Sequence, residues 1–247
     1  MKLTRYSILF SLFIFTLNSS SQGLQHEVGV ILGSTSMQTD YGQRGDFAST
    51  YGNVGFGIGG VYYLSFGERL RRWNDRASYM KDHLRLKAEV SYMSTNLVHR
   101  GVYAERSVRM AAMQGSTKII NIGGQLEFSI FNFSDLRVLE PYISAGFYFV
   151  NYNPDLESTL GDWRNDPSVL PSVYLNDGLF MKKDKTQSFS FGLGTRYSKS
   201  ENMSFIFDWR WQRFLTDNLE GLDPKLGANK FNDWLLFFNA GVVYKFN

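Results

Sequence analysis

Cysteine is absent from the 247 residues, and proline occurs only 5 times. No disulfide can staple this chain, no lipidated cysteine can anchor it, and thiolate-built metal centres are excluded. Long apolar runs are missing as well. Beyond the first 21 residues no stretch reaches the 18 or so apolar residues that a helix needs to cross a bilayer. Charge of one sign is scarce: the formal net charge of +3 falls to +1 once Lys2 and Arg5 of the N-terminal segment are set aside. A nearly neutral chain gives no electrostatic footprint for nucleic acid. Catalytic signatures are lacking too, since neither G-x-S-x-G nor H-E-x-x-H occurs and the only histidines are His26, His83 and His99. The expectation is no catalytic residue, no cofactor and no metal site.

The N-terminal segment has the form of an export signal. Lys2 and Arg5 precede an apolar core from Ile8 to Leu17, and Ser19, Ser20 and Ser21 supply small residues at the expected cleavage point. Residues 1–21 are therefore read as a signal peptide and residues 22–247 as one domain. Glycine, with 23 residues, and aromatics, at 16% of the chain, fit a mature domain made of many strands and turns.

A period of two runs through that domain. In Met203 to Gln212, MSFIFDWRWQ, the residues Phe205, Phe207, Trp209 and Trp211 share one face while Asp208 and Arg210 share the other. Similar alternation marks Gln25–Met37, Asn53–Leu64, His83–Met93, Lys118–Phe131, Pro141–Asn151, Gln187–Tyr197 and Asp233–Phe246. A half-buried soluble strand gives the same pattern, so connection lengths decide. Residues 38–51, 94–116, 153–185 and 214–232 alternate with the shorter links 65–80, 132–140 and 198–202; only the first two connections break the order, being nearly equal. Long connections on one side and short ones on the other are the habit of a barrel in a membrane. Tyr62, Tyr63, Tyr92, Tyr142, Tyr197, Trp209, Trp211, Trp234 and Tyr244 gather toward strand ends as interfacial girdles would. The reading is an all-β, eight-stranded antiparallel transmembrane β-barrel of the outer membrane, with both termini in the periplasm and lipid as its surroundings.

Eight strands leave an interior that side chains fill. The inward face carries Arg85, Lys87, Glu89, Gln125, Glu127, Arg196, Asp208, Arg210 and Lys245, expected to form a polar network because unpaired buried charge is costly. The alternating glycines Gly55, Gly57 and Gly59 lie within a strand rather than at its end, which excludes a phosphate loop and fits crowding at a barrel wall. Arg69, Arg71, Arg72 and Arg76 beside Trp73 form a basic turn on the inferred periplasmic side, a candidate docking element.

Three segments, HEVGVILGSTSMQTDYGQRGDF at 26–47, GNVGFGIGGVYYLSF at 52–66 and NDWLLFFNAGVVYKF at 232–246, resemble a Bacteroidota family of small outer-membrane β-barrels. The family is more loosely similar to the PorG-like barrels of type IX secretion and gliding machinery. That resemblance implies a non-enzymatic structural or docking component whose partners are periplasmic secretion-machinery subunits. It carries over no catalytic residues. The alternative is a surface barrel that binds an extracellular ligand or partner through residues 94–116 and 153–185, followed by a membrane-embedded hydrolase. Phe246 is followed by Asn247, a departure from barrels that finish on an aromatic residue.

Overall fold

The computed structural model describes residues 24–41, 52–65, 83–130, 139–175, 178–223 and 232–246. The signal segment and the basic turn with Arg69, Arg71, Arg72, Trp73 and Arg76 lie outside the described residues. Eight strands form in chain order: β1 (Gln25–Gln38), β2 (Val54–Ser65), β3 (Leu84–Val98), β4 (Met113–Ser129), β5 (Leu139–Ser158), β6 (Asp184–Ser198), β7 (Met203–Phe214) and β8 (Trp234–Lys245). Each pairs antiparallel with its sequence neighbours, and β1 closes the sheet on β8. Closure leaves no edge within the ring, the condition for a sheet to live in lipid.

The register fixes the shape. Pairs followed around the wall run Glu27, Tyr63, Lys87, Gln125, Gly146, Ser190, Gln212 and Leu235, and return to β1 at Met37. The slip from position 27 to position 37, at ~3.3 Å per residue, is set against eight strand spacings of ~4.8 Å, which tilts the strands by about 40°. Each residue then rises about 2.5 Å along the barrel axis. Along β4 the outer face is apolar from Phe128 through Leu126, Ile122 and Ile120 and turns polar at Lys118, Ser116 and Gln114. That apolar span rises about 20 Å, close to the ~25 Å band of a membrane barrel. Leu32, Phe191 and Phe238, 64%, 67% and 63% exposed, stand in the same belt, so the outer face is built for hydrocarbon rather than water.

Three expectations need correction. Tyr63 and Tyr142 leave the proposed girdle: both point into the barrel and are buried, because each lies one residue out of phase with the lipid-facing positions Tyr62 and Ile143. The 94–116 connection shrinks to residues 99–112, with two short helices, α1 (Val102–Arg106) and α2 (Val108–Ala112). Residues 153–185 are not one irregular loop either. β5 runs on to Ser158, and single 3-10 turns form at Pro167–Val169 and Ser172–Tyr174. Pro154 is tolerated because β6 pairing ends at the Tyr152–Asp184 level, leaving β5 a neighbour on β4 alone.

Candidate functional site

Inward-facing side chains stack in layers from the end where β1 starts and β8 finishes, called here the terminus end, to the opposite end. At the terminus end, Arg196 Nη1 lies 2.5 Å from Glu27 Oε2 and Arg85 Nη2 lies 2.8 Å from Glu140 Oε2. Lys245 stands half-buried at this rim, its Nζ donating to Gln25 Oε1. One layer higher, Lys87 Nζ sits 3.3 Å from Glu89 Oε2 and 3.6 Å from Asp208 Oδ2, and donates to Gln125 Oε1 at 3.1 Å. Arg210 Nη1 donates to both oxygens of Glu89, at 2.8 and 2.7 Å, and to the Tyr148 hydroxyl at 2.7 Å. Its guanidinium also lies 5.0 Å from the ring centres of Tyr148 and Phe237. Glu127 is buried between these layers, and neither of its oxygens has a hydrogen-bond partner among the described residues.

The register brings these charges together across the bore. Arg210 on β7 and Glu89 on β3 are far apart in the sheet but face each other across the lumen. Inward glycines make room for large side chains: a Cβ on Gly194 would stand 2.3 Å from the Tyr142 ring, and one on Gly57 would stand 2.7 Å from Phe237. Arg210, Glu89, Lys87 and Asp208 are all paired, as buried charge requires, whereas Glu127 sits among them without a hydrogen bond from the described residues.

Above the charged layers the lining becomes apolar. Met37, Met93, Ile119, Val150, Phe214 and Leu235 are all buried, at most 1% exposed, and the register puts them at one level around the wall. They form a septum near the height where the outer face turns polar. Ions and water gain nothing from entering such a layer, so the bore is closed there.

Connections fold back over the septum. The tip of the β7–β8 connection enters the mouth, where Leu219, Glu220 and Leu222 are fully buried. Gly221 adopts φ +81 at the turn, the left-handed region that favours glycine, and Leu179 bridges Leu222. Thr117 Oγ1 on β4 donates to the Leu219 carbonyl at 2.8 Å, tying the tip to the wall. From the β1–β2 connection comes Tyr41, stacked 4.7 Å from the His99 ring, which lies 6.4 Å from Tyr174. Burial lowers the His99 pKa to about 4.

The site residues read from sequence thus fall into two groups. Arg85, Lys87, Glu89, Glu127, Arg196, Asp208 and Arg210 line the bore, and Lys245 marks its rim. Missing from that set are Glu27, Glu140 and Tyr148, although Glu27 and Tyr148 already stood on inward faces by parity. Glu220 and Asp233, both buried in the mouth, were missed as well. Asp233 shares the inward phase of Leu235, a usable signal; nothing in the sequence around Glu220 announces that its loop re-enters the barrel. Among the histidines, His26 Nδ1 lies 2.5 Å from the Tyr62 hydroxyl and His83 Nδ1 lies 2.7 Å from the Ser129 carbonyl. Among the described residues, no three His, Asp or Glu side chains are grouped to hold a metal ion.

No family model and no curated protein matches the chain. Among solved structures it is similar to a major outer membrane protein from Thermus thermophilus, with 12% identity, a TM-score of 0.47, and coverage of 91% of this chain and 100% of that one. Neisserial surface protein A gives 12% identity and a TM-score of 0.46, with coverage of 91% and 100%. Ail, the attachment invasion locus protein of Yersinia pestis, crystallised with the heparin analogue sucrose octasulfate, gives 11% identity and a TM-score of 0.44 over 91% and 100%.

Proposed function

We propose that this protein is a non-enzymatic barrel of the outer membrane that acts as a structural or docking component rather than as a conduit. The observation that carries the reading is the closed bore: paired charges fill the lower interior, and the apolar septum and folded cap fill the upper part. A barrel with no path through it acts at its ends. With the end of β2 and the start of β3 on the periplasmic side, Arg69, Arg71, Arg72, Trp73 and Arg76 fall in the sequence between them and are the proposed docking element. Such a turn fits an acidic protein surface, and the resemblance to PorG-like barrels names periplasmic subunits of type IX secretion as the partner class.

A second reading has its own observation. The β3–β4–β5 wall continues past the apolar belt, and its outer face there carries Asn96, Gln114, Ser116, Asp155 and Glu157. A folded polar wall raised above the membrane is a surface for an extracellular partner. One experiment separates the two: mild-detergent capture of the barrel from outer membranes, with mass spectrometry of what stays bound. Replacing Arg69, Arg71, Arg72 and Arg76 by Gln is expected to release the periplasmic partner. Capture that survives this change but is abolished by Asp155→Lys together with Glu157→Lys overturns the docking reading in favour of the extracellular one.

A further inference from the structure

Strand pairing aligns a row of side chains on the lipid face from β4 to β8. Leu126 stands beside Ala145, Ala145 beside Phe191, Phe191 beside Trp211, and Trp211 beside Leu236. Ala145 is the one small member of that row, so the wall is indented between Leu126 and Phe191. The indentation is part of an open groove of about 800 Å³, lined almost wholly by apolar atoms, with Trp209 along its flank. Each pairing step in chain order also climbs about 3 Å along the barrel axis. The groove therefore rises obliquely for roughly 19 Å, from Leu126 in the lower half of the belt to Leu236 beneath its upper margin.

Cations gather above that upper end. Arg213 stands two residues beyond Trp211 on β7, about 5 Å higher, with its guanidinium 5.9 Å from the Trp234 ring centre. Lys185 on β6 and Lys118 on β4 stand about 6 Å higher again, where the outer face turns polar. Around the rest of the wall, β1, β2, β3 and β8 present Ser36, Val54, Ser94 and Trp234 near that height. Among the described residues, outward-facing cations at this level thus fall only on the side over the groove. None of the three forms an ion pair among the described residues. Nearby acids are engaged elsewhere: Asp184 Oδ1 accepts the Lys185 backbone N–H at 2.8 Å, and Asp155 pairs with Arg164 at 3.2 Å. Positive side chains at the edge of hydrocarbon attract an anionic lipid headgroup, and a guanidinium suits phosphate in particular.

We propose that the β4–β8 face binds a phosphorylated, multiply acylated glycolipid of the lipid A type, with an acyl chain in the groove and its phosphates on Arg213, Lys185 and Lys118. Charge spacing selects a headgroup with more than one phosphate. The cations span four strands, β4 to β7, about 19 Å of circumference, which is wider than a single phosphate reaches. Continuity selects a single molecule, since the groove runs down from beneath the cationic rim to the middle of the belt. The rim itself selects the source: it is the end opposite the chain termini, and in the docking reading that end meets the outer leaflet. The inference rests on that placement and adds a ligand on the wall to a function assigned to the ends.

Native mass spectrometry of the barrel in non-ionic detergent micelles, with lipid A titrated in, counts the lipid that stays bound. No partner protein is present, so loss of docking and loss of lipid retention are read separately. The unsubstituted barrel is expected to retain one lipid A in preference to phosphatidylglycerol, which carries a single phosphate. Removing a cation beside a charged headgroup weakens retention about fivefold, so Lys185→Gln with Arg213→Gln is expected to weaken it about 25-fold. Ala145→Trp fills the indentation with the charges intact and is expected to weaken retention as well. Val90→Trp, in the belt on β3 across the barrel, is expected to leave it unchanged. Equal retention of lipid A and phosphatidylglycerol overturns the proposal. So does undiminished retention by the Lys185→Gln, Arg213→Gln variant, or the same loss from Ala145→Trp and Val90→Trp. Should Ala145→Trp not fold, the charge variant decides, because Lys185 and Arg213 are exposed on the outer face and take no part in packing the bore.

Discussion

Removing Arg210 tests the interior most sharply. Its guanidinium is fully buried and gives three hydrogen bonds through Nη1, two to Glu89 and one to Tyr148. Locally the charges balance, Arg210 and Lys87 against Glu89 and Asp208. Arg210→Met keeps a flexible apolar side chain of comparable reach but leaves one negative charge in excess. Lys87 then faces both carboxylates alone. Breaking one partner of a buried pair costs about 3–5 kcal/mol, or two to three and a half powers of ten in the folding equilibrium. Adding Glu89→Gln restores the balance, with Lys87 kept for Asp208. The double variant is therefore expected to recover about 1–3 kcal/mol relative to the sum of the single changes. Urea unfolding in phospholipid vesicles, followed by tryptophan fluorescence, gives all three free energies from midpoint and slope. If Arg210→Met costs less than about 1 kcal/mol, or if the two changes simply add, the charges do not form the buried network described.

Other expectations are equally direct. In the same assay Leu32→Arg, in the middle of the belt, is expected to cost about 2–4 kcal/mol while Ser116→Arg, above it, costs about 0–1; equal costs would contradict the assigned membrane level. Gly194→Ala places a methyl group against the Tyr142 ring, 2.3 Å away, and is expected to cost about 1–3 kcal/mol; a neutral result would show that the ring swings aside freely. His99 is buried in its neutral form, so the cap is at full stability above about pH 6.5 and loses it as pH falls toward the folded value of about 4. Cap amide protection that drops over this acid range in the unsubstituted barrel but not in His99→Phe bears this out, and an identical drop in both refutes it.

The faces of the strands were legible because period two is a local property. Once Phe207 and Trp209 are assigned to lipid, Asp208 and Arg210 must point inward, as they do. The partner of each charge was not legible. Arg210 meets Glu89 because the pairing slips ten residues around the ring, a quantity summed over eight strand pairings and visible in none of them. Strand ends above the membrane were lost for a different reason. Past Lys118 on β4 and Asn151 on β5 the outer face is polar, so alternation fades although pairing continues to Met113 and Ser158. Tyr63 and Tyr142 follow strand parity rather than the interfacial preference of tyrosine, and both are buried in the bore. The burial of Glu220 in the mouth depends on a loop tip returning to the wall, which no local pattern encodes.

The claim on which the rest depends is that nothing passes through this barrel. Electrical recording of the purified protein in a planar lipid bilayer, held at a pH near 6, is the direct test. The filled bore and the ring of Met37, Met93, Ile119, Val150, Phe214 and Leu235 predict no sustained conductance. A steady ohmic current from the unsubstituted barrel would contradict the closed interior and return the charged layers to consideration as the lining of a pore.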